Sequence, residues 1–531
     1  LTLNFNIGSV PAGDTVALRY FIFFGTTPAA VDALYAQVND GTGSGHLAAN
    51  SSAPATTTLS DGTSVPQLPY RLYFPDGFVG SNIYTFLPIV NATDQASRVV
   101  VVARYEKTSA NEDVALRDQL VSDFSVAGNN RSGLTLITPE QLANGGALLD
   151  RLNAPYALEI WSERPIAATF SHYDLTLVEG SPAAAGEAFT TRTSTTWSFG
   201  RVAKGNGEIH FLPIYNTTDS LNKVTATFFP LSGQGPTVSV TRTLEAFRRG
   251  GIAPDTDADL AGLASGEYGV VLSAERPIVA ALTQFNTEDK TAETDIGNTG
   301  LVTTGVIAEG QFGLNPGEER IGVLNPGNTA ATVVFSFLFS NGSAYRTSLN
   351  VSANSFKPLD VASLPNFPTG LPYGVFFESN TAISVNSLSS VFNDSVAGNT
   401  ADRAFTLWGF GEGFRPADTS THPGITEYLR LYNPASTDVV IEITVNYDQL
   451  APGSSGLPAT EVFRRTIPAR RVTNFDVDQF ITGLRRERDS WFGITIKAPT
   501  PIVAYMGHYD AAFPGAFGSL GTPLGLSASI T

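Results

Sequence analysis

The sequence predicts an all-β protein built as a tandem array of four β-sandwich domains. Three observations carry this. A short apolar run ending in Asn occurs four times, as Leu87-Pro-Ile-Val-Asn91, Leu212-Pro-Ile-Tyr-Asn216, Ile321-Gly-Val-Leu-Asn325 and Leu429-Arg-Leu-Tyr-Asn433. The Asn anchors lie 125, 109 and 108 residues apart, the size of a small domain and longer than a solenoid repeat. Each anchor is followed by an aromatic-led strand pair of one design, beginning at Tyr156, Tyr268, Tyr373 and Trp491. The linking segments are rich in turn residues and poor in helical periodicity, which points to six to eight short strands per repeat and away from a parallel α/β fold.

Composition bounds the function. The 531 residues suffice for several domains, and 42% hydrophobic residues suffice for real cores. Gly 50 and Pro 32 suit many turns. The net charge of −17, with six Lys among 32 basic residues, argues against nucleic acid and anionic membranes, which require clustered positive charge. With no Cys, disulfides and thiolate metal sites are excluded. No apolar stretch approaches the roughly 20 residues that span a bilayer. The single Met is Met506, so Leu1 reads as a processed or truncated start. A removed signal peptide or a missing upstream region accounts for it, and an extracellular or cell-surface location is expected.

Taken in order, residues 1–69 stand outside the repeat. Leu1, Leu3, Phe5 and Ile7 alternate onto one face of a first strand. A second strand covers 16–24, and a short helix is expected over 28–38 from Val31, Leu34, Tyr35 and Val38. Residues 39–67 have linker composition. Two strands and a helix do not fold alone, so their apolar faces need a cover.

The repeats then occupy 70–196, 197–303, 304–407 and 408–531. In each, the anchor Asn ends a strand and begins a polar turn, where its side chain is expected to bond nearby backbone. A β-branched strand follows (99–105, 224–229, 331–339, 439–447), then further strands and a short amphipathic segment such as Asp257–Leu260 or Asp476–Phe480. The repeat closes with the aromatic-led strand, a turn, and a last strand whose leading Pro suits a first strand position. Trp197 and Trp408 read as equivalent starts.

Candidate chemistry is sparse. His172-Tyr-Asp174 and His508-Tyr-Asp510 look like acid/base pairs, but the second repeat has Gln284 at the matching place, so a bonded structural residue is the expectation and no catalytic residue is assigned. Asp255, Asp257 and Asp259 resemble the opening of a calcium loop, which leaves calcium as the one cofactor to consider. An EF-hand pattern needs Gly and Glu where Leu260 and Gly266 stand, and the alternative is an Asp-capped helical turn. Glycosylation sequons begin at Asn50, Asn91, Asn130, Asn216, Asn341, Asn350 and Asn393. Trp161, Trp197, Trp408 and Trp491 are candidates for stacking on a glycan or for the core.

The Asn-Pro turns after apolar runs and the Ser-x-Arg-Pro-Ile-Val-Ala pattern resemble, over residues 70–531, the tandem immunoglobulin-like sandwiches of bacterial secreted and surface proteins. The resemblance implies a stalk, surface-layer, adhesin or fibre function. With the N-terminal strand pair it suggests a structural subunit that polymerises with itself into a filament or surface layer. Leu1, Leu3, Phe5 and Ile7 would be the strand donated to a neighbour. The alternatives are an adhesin or carbohydrate-binding protein, and the non-catalytic region of a larger secreted enzyme.

Overall fold

The computed structural model describes residues 56–78, 80, 83–107, 117–137, 147–149, 154–178, 181–313, 319–391, 394–418, 425–450, 454–510 and 515–530. The N-terminal strand pair, the helix over 28–38 and the donor candidates Leu1, Leu3, Phe5 and Ile7 lie outside these residues. The described chain is nearly all β, in antiparallel sheets, with no α-helix among the described residues. Thr58–Thr531 forms one compact unit.

Within that unit one strand plan occurs four times. In the first repeat the strands are Tyr70–Gly77, Ile83–Asn91, Ser97–Tyr105, Asp118–Val126, Asn130–Ile137, Tyr156–Ser162, Ala167–Val178 and Ser181–Ala188. The first, sixth, third and fourth make one sheet in the order first–sixth–third–fourth; the other sheet runs eighth–seventh–second–fifth, with the short strand Ala147–Leu148 added parallel to the fifth. The second repeat (194–296), the third (302–398) and the fourth (403–520) pair their strands in the same order. Each repeat is therefore a two-sheet sandwich with its own buried core, for example Leu87, Val101, Tyr156 and Leu158 in the first and Ile321, Phe335, Phe337 and Phe377 in the third.

One local expectation is corrected. In the last three repeats the sixth and seventh strands are a single strand, as Gly266–Asn286, Tyr373–Val391 and Ser490–Asp510. Pro277 and Pro501 do not begin strands; they sit inside these, where the chain passes from one sheet to the other. In the second repeat, pairing to the third strand ends at Ala274 and pairing to the second strand begins at Ile278. Pro277 thus occupies a stretch without ladder bonds, where the missing N–H costs nothing.

The anchor Asn residues hold the turns. All four are fully buried. Asn433 Nδ2 donates to the carbonyls of Thr437 (2.9 Å), Ile467 (3.1 Å) and Pro468 (3.3 Å), and its Oδ1 accepts from Ala435 N (3.0 Å). Asn91, Asn216 and Asn325 make the same pattern, bonding the residue four positions on and the turn between the fourth and fifth strands. Burial removes the sequons at Asn91 and Asn216 as acceptors in the folded chain. The two equivalent Trp residues are also alike: Trp197 Nε1 donates to Ile278 O (2.9 Å) and Trp408 Nε1 to Ile502 O (2.8 Å). The short segments at Ala258–Leu260, Val361–Ser363 and Val477–Phe480 are single 3₁₀ turns, each capped by the Asp before it. The end of the stretch of linker composition, with Leu68 after it, lays Leu59, Val65 and Leu68 against Val100, Val102 and Trp161 of the first sandwich.

The sandwiches close on one another in a ring. The end of the first strand of each packs on the second and seventh strands of the next. Arg249 Nε of the second sandwich donates to Pro75 O of the first (3.1 Å). Gly200 N of the second donates to Asn386 Oδ1 of the third (2.9 Å), and a methyl on Gly200 would lie 2.7 Å from Gly322 O. Glu309 of the third pairs with the fully buried Arg430 of the fourth. The last contact returns to the start: Ser171 Oγ of the first donates to Glu412 Oε2 of the fourth (2.7 Å).

Candidate functional site: a shared axis and an inter-sandwich cavity

The four eighth strands meet along the ring axis. Ala184, Ala292, Ser395 and Ala516 occupy the same register position, opposite Tyr173, Phe285, Ser390 and Tyr509 of their seventh strands. Their backbone N–H groups all donate to one carboxylate, that of Asp394, at 3.3, 2.8, 2.9 and 2.9 Å. At the position of Asp394 the other repeats have Ala183, Thr291 and Gly515. A single side chain of the third sandwich thus satisfies one donor from every sandwich. Burial pushes the Asp394 carboxyl up to about 7, and the four N–H bonds pull the other way by favouring the charged form.

Other buried carboxylates surround this axis. Asp295 accepts from Asn386 Nδ2 (2.8 Å), and burial pushes it up to about 7. Glu187 accepts from Asn399 Nδ2 (2.6 Å) and is raised well above the usual range, by burial first and by Asp295 second. Glu293 accepts from Gln284 and is likewise raised by burial. Among the described residues no group of three or more His, Asp or Glu could hold a metal ion. Beside the axis, Glu187, Trp197, Asn399 and Trp408 are among the residues that line a cavity of about 110 Å³.

The contact between the first and second sandwiches contains a cavity of about 470 Å³. Its apolar wall includes Phe78, Ile83, Phe170, Phe211 and Phe285, and its polar wall includes Asp76, Glu106, His172, Asp174 and Arg249. Arg249 is held by Asp76 (2.7 Å) and by Glu106. His172 Nδ1 lies 3.4 Å from Thr85 Oγ1, and its ring stacks on Phe170. Burial lowers the His172 pKa, which keeps the imidazole neutral near pH 7.

The remaining sequence candidates go to structural tasks. His508 Nδ1 bonds Glu427 Oε1 (2.8 Å), and the imidazole stacks on Phe517. Asp255 accepts from Gly205 N (2.7 Å), Asp257 caps the 3₁₀ turn, and Asp257 and Asp259 both pair with Arg242, so the three carboxylates do not converge. Trp161, Trp197 and Trp408 are buried with their N–H groups bonded to protein; Trp491 is half-buried against Phe414. The axis and Arg249 were not singled out from the sequence. Alignment of the eighth strands would have shown Asp394 as an acid where the other repeats carry Ala, Thr and Gly.

No family model matches this chain, and no curated protein matches it. Among solved structures, Thermotoga maritima 1070 is 16% identical over 23% of this chain and 98% of its own, at a TM-score of 0.18. The tetra-tandem repeat from the extending region of a large adhesion protein is 12% identical, covers 83% of this chain and 93% of its own, and has a TM-score of 0.09. The Streptomyces avermitilis alpha-L-rhamnosidase is 9% identical over 77% of this chain and 53% of its own, at a TM-score of 0.11.

Proposed function

We propose that this chain is a non-catalytic structural subunit of an extracellular assembly, in which four immunoglobulin-like sandwiches act as one rigid building block. The observation that carries this reading is the axis: one carboxylate ties together donors from all four sandwiches. Such a centre rewards closure of the ring, as a rigid building block requires. The candidate catalytic histidines serve packing and hydrogen bonding, in keeping with a structural role.

Each sandwich has its full set of strand positions among the described residues, so a donated strand would add to an edge. Among the described residues, the fourth strands, Asp118–Val126, Val238–Leu244, Ala344–Val351 and Thr460–Ile467, pair on one side only and so stand at sheet edges. In this reading the strand carrying Leu1, Leu3, Phe5 and Ile7 lies along such an edge of a neighbouring subunit, a contact that propagates into a filament or layer. The test is electron microscopy and light scattering on the full chain and on a chain lacking residues 1–25. Regular assemblies of the full chain and folded monomers of the truncated one are expected. Dispersed monomers of the full chain at high concentration would overturn the proposal, and assemblies that persist after truncation would overturn the donor strand.

A further inference from the structure

The ring provides its own controls, because one contact geometry occurs four times. Between the second and third sandwiches it is filled by an ionic network. Arg201 binds Glu208 and Glu267 (2.5 and 2.7 Å), and Arg320 binds Glu267 (3.0 Å), leaving a void of about 20 Å³. Between the third and fourth it is filled by Arg430, which pairs with Glu309 and donates to Gln311 Oε1 (2.9 Å). Between the fourth and first, Glu412 meets Ser171 and Arg131 meets Asp448 (2.9 Å). Among the described residues, the contact between the first and second lines a cavity on the scale of a small-molecule site, about 470 Å³.

Packing alone does not explain this cavity. The ionic and hydrogen-bonded pairs named at the other three junctions have their counterpart here in Arg249 with Asp76 and Glu106, which lie in the cavity wall. The lining is also of two kinds: aromatic rings on one side, and on the other three carboxylates against one guanidinium. With His172 neutral, the formal charge of the described lining is negative. Phenyl faces are themselves attractive to a cation once water is displaced.

We propose that the cavity between the first and second sandwiches binds a small arylalkyl amine, its ring against Phe78, Phe170, Phe211 and Phe285 and its ammonium group against Asp76 and Asp174. Arg249, tied to Asp76 and Glu106, holds those two acids in place and sets the polar end of the site. Such a ligand reaches both sandwiches at once, so it would tighten this junction. The site stands apart from assembly and does not depend on it.

Calorimetric titration of the full chain with three probes of one shape tests this: 1-naphthylmethylamine, 1-naphthylmethanol and 1-naphthoate. The amine should bind one per chain, the alcohol at least tenfold more weakly and the carboxylate more weakly still. Asp174→Asn should cost the amine about tenfold and leave the alcohol unchanged. Ala253→Trp, which enlarges a lining side chain of the cavity, should abolish binding. Should that variant not fold, Phe211→Ala carries the same test, since this ring is 37% exposed and its loss spares the core. Equal binding of the three probes, no binding by any, or amine binding indifferent to Asp174→Asn and Phe211→Ala would each overturn the proposal.

Discussion

Asn433 offers the sharpest test of how the repeats are held together. Its amide places two N–H groups among three carbonyl oxygens and one oxygen against a backbone N–H, with no exposure to water. A buried hydrogen bond contributes a net of about 1 kcal/mol, and a buried partner left unpaired costs about 1–3 kcal/mol. Two donors and one acceptor therefore put Asn433→Ala at about 3–4 kcal/mol. Asn433→Asp keeps the shape and reverses one end. It points an oxygen at the carbonyls of Thr437, Ile467 and Pro468, so it should cost more than Ala, about 5 kcal/mol at neutral pH. Acid should narrow that gap, because a protonated carboxyl regains one donor. Urea unfolding followed by circular dichroism, with the slope held common, measures both variants. The reasoning fails if Asp is no worse than Ala, or if both stay within about 1 kcal/mol of the parent.

Three further outcomes follow from the ring. Asp394→Ala strands four buried N–H groups and should destabilise the chain by about 3 kcal/mol or more in urea unfolding, with formate restoring part of the loss; no change in stability would count against the axis. Burial raises Asp295, Asp394 and Glu319 to about 7, against values near 4 in an unfolded chain. The folded chain then holds more protons than the unfolded one between about pH 4 and 7, so stability falls as pH rises through that window. His172 and His210, lowered by burial, oppose this only below about pH 6.5, and the melting temperature should be higher at pH 5 than at pH 8. A methyl on Gly411 would strike the Pro88 carbonyl across the contact between the fourth and first sandwiches, whereas one on Gly300 would meet open space. Gly411→Ala should enlarge the maximum dimension in small-angle scattering and Gly300→Ala should not; equal profiles would refute the closing contact.

What the sequence made legible was local. The anchor Asn, the β-branched strands and the Asp-capped turns each depend on neighbours within a repeat, and their types announce them. Asn433, for instance, bonds Thr437 only four positions away. The continuous passage from sixth to seventh strand was hidden because Pro277 reads as a boundary, although here it marks a stretch between ladders. The axis was hidden for a different reason. Asp394 bonds Ala184, 210 residues distant, and Ala516, 122 residues distant, and no periodicity encodes such a meeting. The cavity is harder still, because its wall joins residues of two repeats, such as Phe170 and Phe211, that no local pattern brings together.

The single acid on the axis also bears on why four sandwiches share a chain. Four separate but identical copies would be bound by their symmetry: each would bring an Asp to the centre, or none would. Four carboxylates there would repel one another, and none would leave the four N–H groups unanswered. A fused chain escapes that choice, because each copy mutates independently of the rest. The third carries the acid while the first, second and fourth keep Ala183, Thr291 and Gly515 in its place. Covalent linkage thus allows one central partner to be shared among four equivalent sites.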